Sequence, residues 1–286
     1  MEIVFERIKK VQPTKLYIAA DGPRESIPAD KENVTKARDI VSNINWKCTV
    51  KNLFRKNNLG CRSAVSEAIT WFFDQEPEGI ILEDDCVPHP DFFPFCANLL
   101  EIYRNNFKIM MISGVNFQAG NKRGNASYYF ARYPHIWGWA TWRRVWQLYD
   151  VDMKSFDDFK TENQIANIIE DKAEQEYWMK HFELVHSKQL DTWDYQFVYL
   201  TFINKGLCIN PNVNLISNIG FSNDATHTRK SIDPFANMPV FRLGQISHPK
   251  FILPDHMAEK YTARYVFNIG LNKKIKRIRR LWPLKL

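Results

Sequence analysis

The chain has 286 residues, long for one domain and short for two, with 45% hydrophobic and 25% charged residues, the balance of an ordinary globular protein. Its formal charge of +7 is localised: residues 273–286 hold seven lysines and arginines and no acid, so residues 1–272 are formally neutral and offer nucleic acid no basic surplus. No apolar run reaches the length of a membrane span, the first residues lack the basic-then-apolar order of a secretory signal, and five cysteines without C-x-x-C spacing fit reduced thiols in a cytoplasmic protein better than a disulfide frame or zinc site.

In chain order, the apolar residues Ile3, Val4, Ile8 and Val11 predict a helix over 2–11, ended by Pro13. A strand follows over 15–20 and closes on Asp21-Gly-Pro. Further along come a helix over 30–43, a strand near 47–53 and a helix from Gly60 to about Asp74. Residues 79–82 read as a short buried strand. Pro88 and Pro90 then delay the next helix, which Asp91 is placed to cap and which carries Phe92, Phe95, Leu99 and Ile102. Residues 108–113 form another strand. Beyond residue 127 aromatic residues crowd from Tyr128 to Tyr149, helices are expected over 162–187 and 193–205, and short strands around 207–210 and 213–219. This alternation predicts an α/β fold with a mostly parallel sheet flanked by helices. One domain over 1–272 is expected, with a division near residue 125 and a basic tail over 273–286.

The strand 79–82 runs straight into Glu83, Asp84 and Asp85. Ligands of open α/β sheets bind beyond the carboxyl ends of strands, and three adjacent carboxylates repel one another unless a cation offsets their charge. Magnesium-like ions are held by one or two carboxylates, waters and substrate phosphates, so the cluster points to a metal-bound phosphorylated ligand such as a nucleoside diphosphate. Its alternative is a solvated acidic turn. The aromatic stretch has two readings as well. Trp and Tyr rings suit the faces of sugars, yet aromatics at this density also build core. Residues 181–186 only imitate a zinc motif, because His181 and His186, five apart, lie on different helix faces. P-loop, dinucleotide-binding and G-x-S-x-G motifs are absent.

The ordered set Ala20-Asp21-Gly22, Glu83-Asp84-Asp85 with Pro90-Asp-Phe-Phe93, Trp137-Gly138-Trp139 with Trp146, Asp191-Thr-Trp-Asp194 and the segment 210–227 resembles the GT-A nucleotide-sugar glycosyltransferases. The likeness is to the inverting N-acetylglucosaminyltransferase I type and its bacterial relatives, and it extends over residues 15–230. It implies a Rossmann-like GT-A domain, with a nucleotide-binding half over 1–125 and an acceptor and catalytic half over 126–230. Asp21 would contact the uracil or ribose, and Arg62 the nucleotide unless it is a helix-surface arginine. Glu83 and Asp84 would face the ribose and sugar. Asp85 would hold Mn²⁺ or Mg²⁺, with His227 returning towards the metal. Asp194 would be the catalytic base, with Asp191 the alternate, unless Asp191 caps the following helix. Trp137, Gly138 and Trp139 would meet the acceptor.

A GT-A sheet begins with a strand ahead of the first helix, and the resemblance therefore implies that this first strand is missing. The resemblance further implies an inverting transfer from a UDP-sugar to a glycan or lipid-linked glycan acceptor, in bacterial surface polysaccharide synthesis. The competing expectation is an inactive glycan- or nucleotide-binding relative. The tail 273–286, with Ile275, Ile278, Leu281 and Trp282 among its basic residues, reads either as a helix for the anionic inner face of the membrane or as a solvated segment.

Overall fold

The computed structural model describes residues 1–221 and 233–270. His227 and the basic tail therefore lie outside the described residues. The first half of the chain alternates as expected, apart from one added short strand, β4: α1 (Glu2–Val11), β1 (Lys15–Ala20), α2 (Asp30–Ser42), β2 (Thr49–Phe54), α3 (Gly60–Phe73), β3 (Glu78–Ile81), β4 (Cys86–Pro88), α4 (Phe92–Tyr103) and β5 (Ile109–Ser113). Then come β6 (Tyr128–Ala131), β7 (Trp139–Trp142), α5 (Arg143–Trp146), α6 (Phe156–Thr161), α7 (Lys172–His186), α8 (Asp194–Ile203), β8 (Leu207–Pro211), β9 (Ile216–Asn218) and α9 (His256–Tyr265). The helix expected over 162–187 is divided. A 3-10 turn covers Gln164–Asn167, and α7 starts afresh where the Asp171 side chain accepts from the Glu174 N–H at 2.9 Å, a side-chain cap that satisfies a free donor of the first turn.

The protein is a mixed α/β fold, and the expected mostly parallel sheet is corrected by its topology. The main sheet has five strands in the order β3-β7-β5-β8-β6. Only β5 and β8 pair in parallel, whereas β7 is antiparallel to β3 and β5, and β6 is antiparallel to β8. Strands β3, β5 and β8 thus run one way, and β6 and β7 the other. Parallel neighbours need a crossover of a dozen or more residues, usually a helix, and the adjacent parallel strands β5 and β8 have several helices between them in the chain. Likewise α2 lies between β1 and β2, and that pair is parallel.

Strands β1 and β2 form a separate pair, and β4 pairs with β9. Helix α3 ties the β1–β2 pair to the main sheet. Phe72 packs edge-on against Tyr17 of β1 at 5.0 Å, and a Cβ on Gly79 of β3 would come within 2.2 Å of the same Phe72 ring. Only a glycine at 79 lets α3 lie this close.

The main core joins α3, α4 and α8 to the sheet through Phe73, Phe92, Leu99, Trp139, Trp193 and Phe197, all buried. A second core packs α6, α7 and α8 around Phe156, Trp178, Phe182 and Phe202. Asp91, expected to cap α4, makes no side-chain cap bond there. Its Oδ2 instead accepts from the Leu243 and Gly244 N–H groups at 2.8 and 3.3 Å, fastening the segment that passes over the start of α4.

Candidate active site

The acids fall in the turn between β3 and β4, at the carboxyl end of β3. The turn is closed by the Cys86 N–H donating to the Glu83 carbonyl at 3.1 Å. Strand β9 fixes its far side, with the Ile219 N–H donating to the Asp85 carbonyl at 2.9 Å. Asp84 is exposed, whereas Glu83 and Asp85 are half-buried. Within Glu83, Oε1 is sealed from solvent and has no hydrogen-bond partner. Burial first, then the charges of Asp85, Asp194 and Asp84, push this carboxyl up to about 8. Burial also raises Asp85, although the Cys86 thiol donates to its Oδ1 at 3.3 Å and Asn218 bonds to it. Gly220 lies against Asp85, and a Cβ there would come within 2.0 Å of Oδ2.

A second segment brings more acid to the same place. Cys61, in the first turn of α3, has its thiol pushed up to about 12 by burial and then by Glu83, Asp194 and Asp191. One thiol thus registers carboxylates from the β3–β4 turn and from the segment leading into α8. Asp194 opens α8, where the helix N-terminus favours negative charge. Its Oδ1 accepts from the Thr192 hydroxyl and from the Tyr195 N–H, the latter at 3.0 Å. Trp193 beside it is buried and stacks on Trp139 at 5.5 Å, with the planes 19° apart. The Tyr149 hydroxyl donates to the Trp193 carbonyl at 2.9 Å.

Several expected site residues have other occupations. The Asp191 carboxylate accepts from the Cys61 N–H at 2.9 Å and the Arg62 N–H at 3.0 Å. It caps α3 from across the fold and does not cap the following helix. Gly60 permits this with φ +78°, for its Cβ would sit 2.7 Å from Asp191 Oδ2. Asp191→Ala is expected to lower stability by about 1 kcal/mol, the worth of an N-cap. Urea denaturation of the variant and its parent measures this, and an unchanged midpoint would show that the cap contributes nothing.

The Asp21 carboxylate, expected to meet the nucleotide, accepts from the Gly22 N–H and from the Leu59 N–H, at 3.0 and 2.9 Å for the shorter contacts, and so closes the loop ahead of α3. Arg62 is buried, with its guanidinium donating to the Val151 carbonyl at 2.6 Å and to Asp152 at 2.9 Å. It is a strut between α3 and the 150s loop and is not a helix-surface arginine. Trp139, expected at the acceptor, is 0% exposed and has no face for a sugar. Gly138 has φ +61°, and a Cβ there would meet Ile216 at 2.5 Å and Leu82 at 3.2 Å. Trp137 is half-buried and packs edge-on against Phe117 and Phe221 at 5.1 and 5.6 Å. Of the three, it alone retains a side chain to offer a ligand. Thr192, Cys61, Tyr149 and Gly220 escaped the sequence reading. Thr192 and Gly220 fall inside the quoted motifs, but Cys61 and Tyr149 carry no local signal.

Among the described residues no group of three or more His, Cys, Asp or Glu is placed to hold a metal ion. The donors present are hard carboxylate oxygens, one of them buried without a partner, and they suit a magnesium- or manganese-like ion that completes its shell with water and phosphate. The two surface hollows described, of about 470 and 330 Å³, include none of these acids, so the site rests on its chemistry, not on concavity. No helix among the described residues is long and apolar enough to cross a membrane. No family model matches the chain, and no curated protein matches it.

Proposed function

We propose that this chain is an inverting, metal-dependent glycosyltransferase that moves a hexosyl or N-acetylhexosaminyl group from a nucleotide diphosphate donor, most simply a UDP-sugar, to a hydroxyl of a glycan or lipid-linked glycan. The observation that carries the reading is the approach of Glu83 and Asp194 to Cys61, with Asp85 acting on Glu83 from beside it and a Glu83 carboxyl oxygen buried and unpartnered. Such a cluster is electrostatically incomplete and is relieved by a cation. Asp85 would hold the ion, with Glu83 and Asp84 turned to the ribose and sugar. A bound Mn²⁺ or Mg²⁺ supplies Lewis-acid stabilisation of the departing diphosphate.

Asp194 is the base in this reading. It accepts the acceptor hydroxyl's proton as that oxygen attacks the anomeric carbon, on the face opposite the leaving group. Thr192 and the start of α8 hold its carboxylate in place. Trp137 offers the acceptor an apolar ring face. The setting would be bacterial surface polysaccharide synthesis, in the cytoplasm and at the inner face of the membrane.

Titration of the full chain with UDP by calorimetry, with Mn²⁺ and then with chelator, tests the nucleotide site. The expected result is binding that weakens at least about tenfold on chelation, since the carboxylates then face the phosphates unscreened. Equal affinity in both conditions would refute the metal-dependent reading. A second reading, a binding protein without turnover, is favoured by the internal bonds of Asp21 and Arg62. It predicts the same UDP binding but no sugar transfer.

A further inference from the structure

The edge of the molecule formed by the end of α4, the start of β5 and residues 250–257 is apolar in a way the proposed transfer does not use. Phe107 is 80% exposed, Phe251 73%, Leu253 67% and Met257 65%. Exposure alternates along this segment, with Ile252 and Pro254 half-buried between their neighbours. Pro254 bridges to Phe130 of β6, and the Asp255 N–H donates to the Phe130 carbonyl at 2.8 Å. The segment is therefore fastened along the sheet edge, and its large side chains are held outward. Ile252 joins Ile102 and Phe107 in lining a shallow groove of about 470 Å³. Single exposed apolar residues are ordinary, but several held together on one edge mark an interaction surface.

The charge around these residues selects the partner. Lys108 follows Phe107, Lys250 precedes Phe251, and Lys205 lies in the turn before β8, whose Leu207 N–H bonds to the Lys108 carbonyl at 2.7 Å. None of these three lysines forms an ion pair with another described residue. The acids of the same edge are already engaged. Glu78 and Glu101 pair with Arg104 at 2.7 Å each, Glu259 pairs with Arg132 at 2.8 Å, and Asp255 caps α9 by accepting from the Ala258 N–H at 2.8 Å. Arg144 adds a guanidinium over the Phe107 ring at 5.4 Å.

Projecting aromatic and aliphatic side chains among uncompensated lysines match an anionic lipid surface, whose interface takes up apolar groups while its headgroups meet the cations. We propose that this edge seats the protein on an anionic membrane, with Phe107, Phe251, Leu253 and Met257 entering the interface and Lys108, Lys205 and Lys250 facing the headgroups. The surface is made of residues other than 273–286 and stands whether or not the transfer proposed above occurs.

The test is co-sedimentation of the full chain with vesicles of phosphatidylglycerol and phosphatidylcholine, and of phosphatidylcholine alone. The parent should bind the anionic vesicles at least tenfold better. Phe107→Ser, Phe251→Ser and Leu253→Ser combined should weaken that binding tenfold or more while leaving the thermal midpoint unchanged, because these side chains are largely outside the core. Lys108→Glu, Lys205→Glu and Lys250→Glu combined should also weaken it, by about fivefold or more per lysine. Undiminished binding by the serine variant would assign membrane affinity to residues 273–286 and overturn the proposal. Absence of vesicle binding by the parent would overturn it as well. So would a parent dimer that the serine substitutions dissociate, since a second copy would then cover the surface.

Discussion

Asp194→Asn is expected to lower the rate of sugar transfer by about 10²–10⁴-fold, the range a positioned general base contributes, while UDP affinity stays within a factor of two or three. Asparagine keeps the shape of aspartate and still accepts from Thr192 Oγ1 and the Tyr195 N–H, so the start of α8 is preserved. What it loses is the capacity to take a proton. The acceptor hydroxyl then has to shed its proton to water, and the loss falls on turnover, not on donor binding. The support of Asp194 is unusually rigid. Trp193 is stacked on the buried Trp139, and its carbonyl is held by Tyr149, so a neighbouring residue has little room to replace the missing carboxylate. Transfer is read with a saturating acceptor and UDP binding by calorimetry on the same preparation. A variant that transfers at the parental rate would remove Asp194 from the chemistry and leave Glu83 and Asp191 as the remaining carboxylates near Cys61. Loss of UDP binding in parallel with turnover would instead make Asp194 part of the donor site.

The local elements of this fold were legible where the chain carries its own punctuation. The run 79–82 followed by three acids placed β3 and the turn at its end, and Asp194 to Ile203 emerged as a helix within the span expected for it. Strand β7 was not legible. Its four residues, Trp139, Ala140, Thr141 and Trp142, are all buried, and a segment buried on both faces shows no alternation to distinguish strand from helix. Strand direction was beyond reach for a related reason. It depends on which strands become neighbours, and the order β3-β7-β5-β8-β6 places side by side strands that are far apart in the chain.

The site residues divide along similar lines. The crowding of Glu83 and Asp85 was legible because it is itself local. The internal bonds of Asp191 and Arg62 were not legible because their partners are distant: Asp191 caps a helix 130 positions earlier in the chain, and Arg62 braces a loop 89 positions later. A charged side chain advertises that it needs partners, but not which ones. Trp139 is instructive: the same ring that suits a sugar face is fully buried here, as the surface on which Trp193 rests.

Glu83→Gln should make the ligand-free chain more stable at pH 8, by about 2–4 kcal/mol, and leave it nearly unchanged near pH 4.5. Burial and three neighbouring carboxylates hold the native Glu83 carboxyl up near 8, against an ordinary value of 4.5. Between those two values the folded chain keeps a proton that the unfolded chain has released. Stability therefore falls as pH rises from about 4.5 to 8, because the unfolded state binds fewer protons than the native one. Below that window the group is protonated in both states, and above it the contribution is constant. Glutamine carries no such titration. The difference between variant and parent isolates the Glu83 contribution, since shifts elsewhere, including the raised Asp85, are largely shared. Urea unfolding at pH 5, 6.5 and 8 in the presence of chelator measures it. A gap that widens with pH shows that the parent carries an electrostatic strain at this turn, which a cation bound beside Asp85 would relieve by favouring the ionised form. A gap that is the same at pH 5 and pH 8 would mean that Glu83 ionises normally, and the electrostatic argument for a cation at the end of β3 would fall with it.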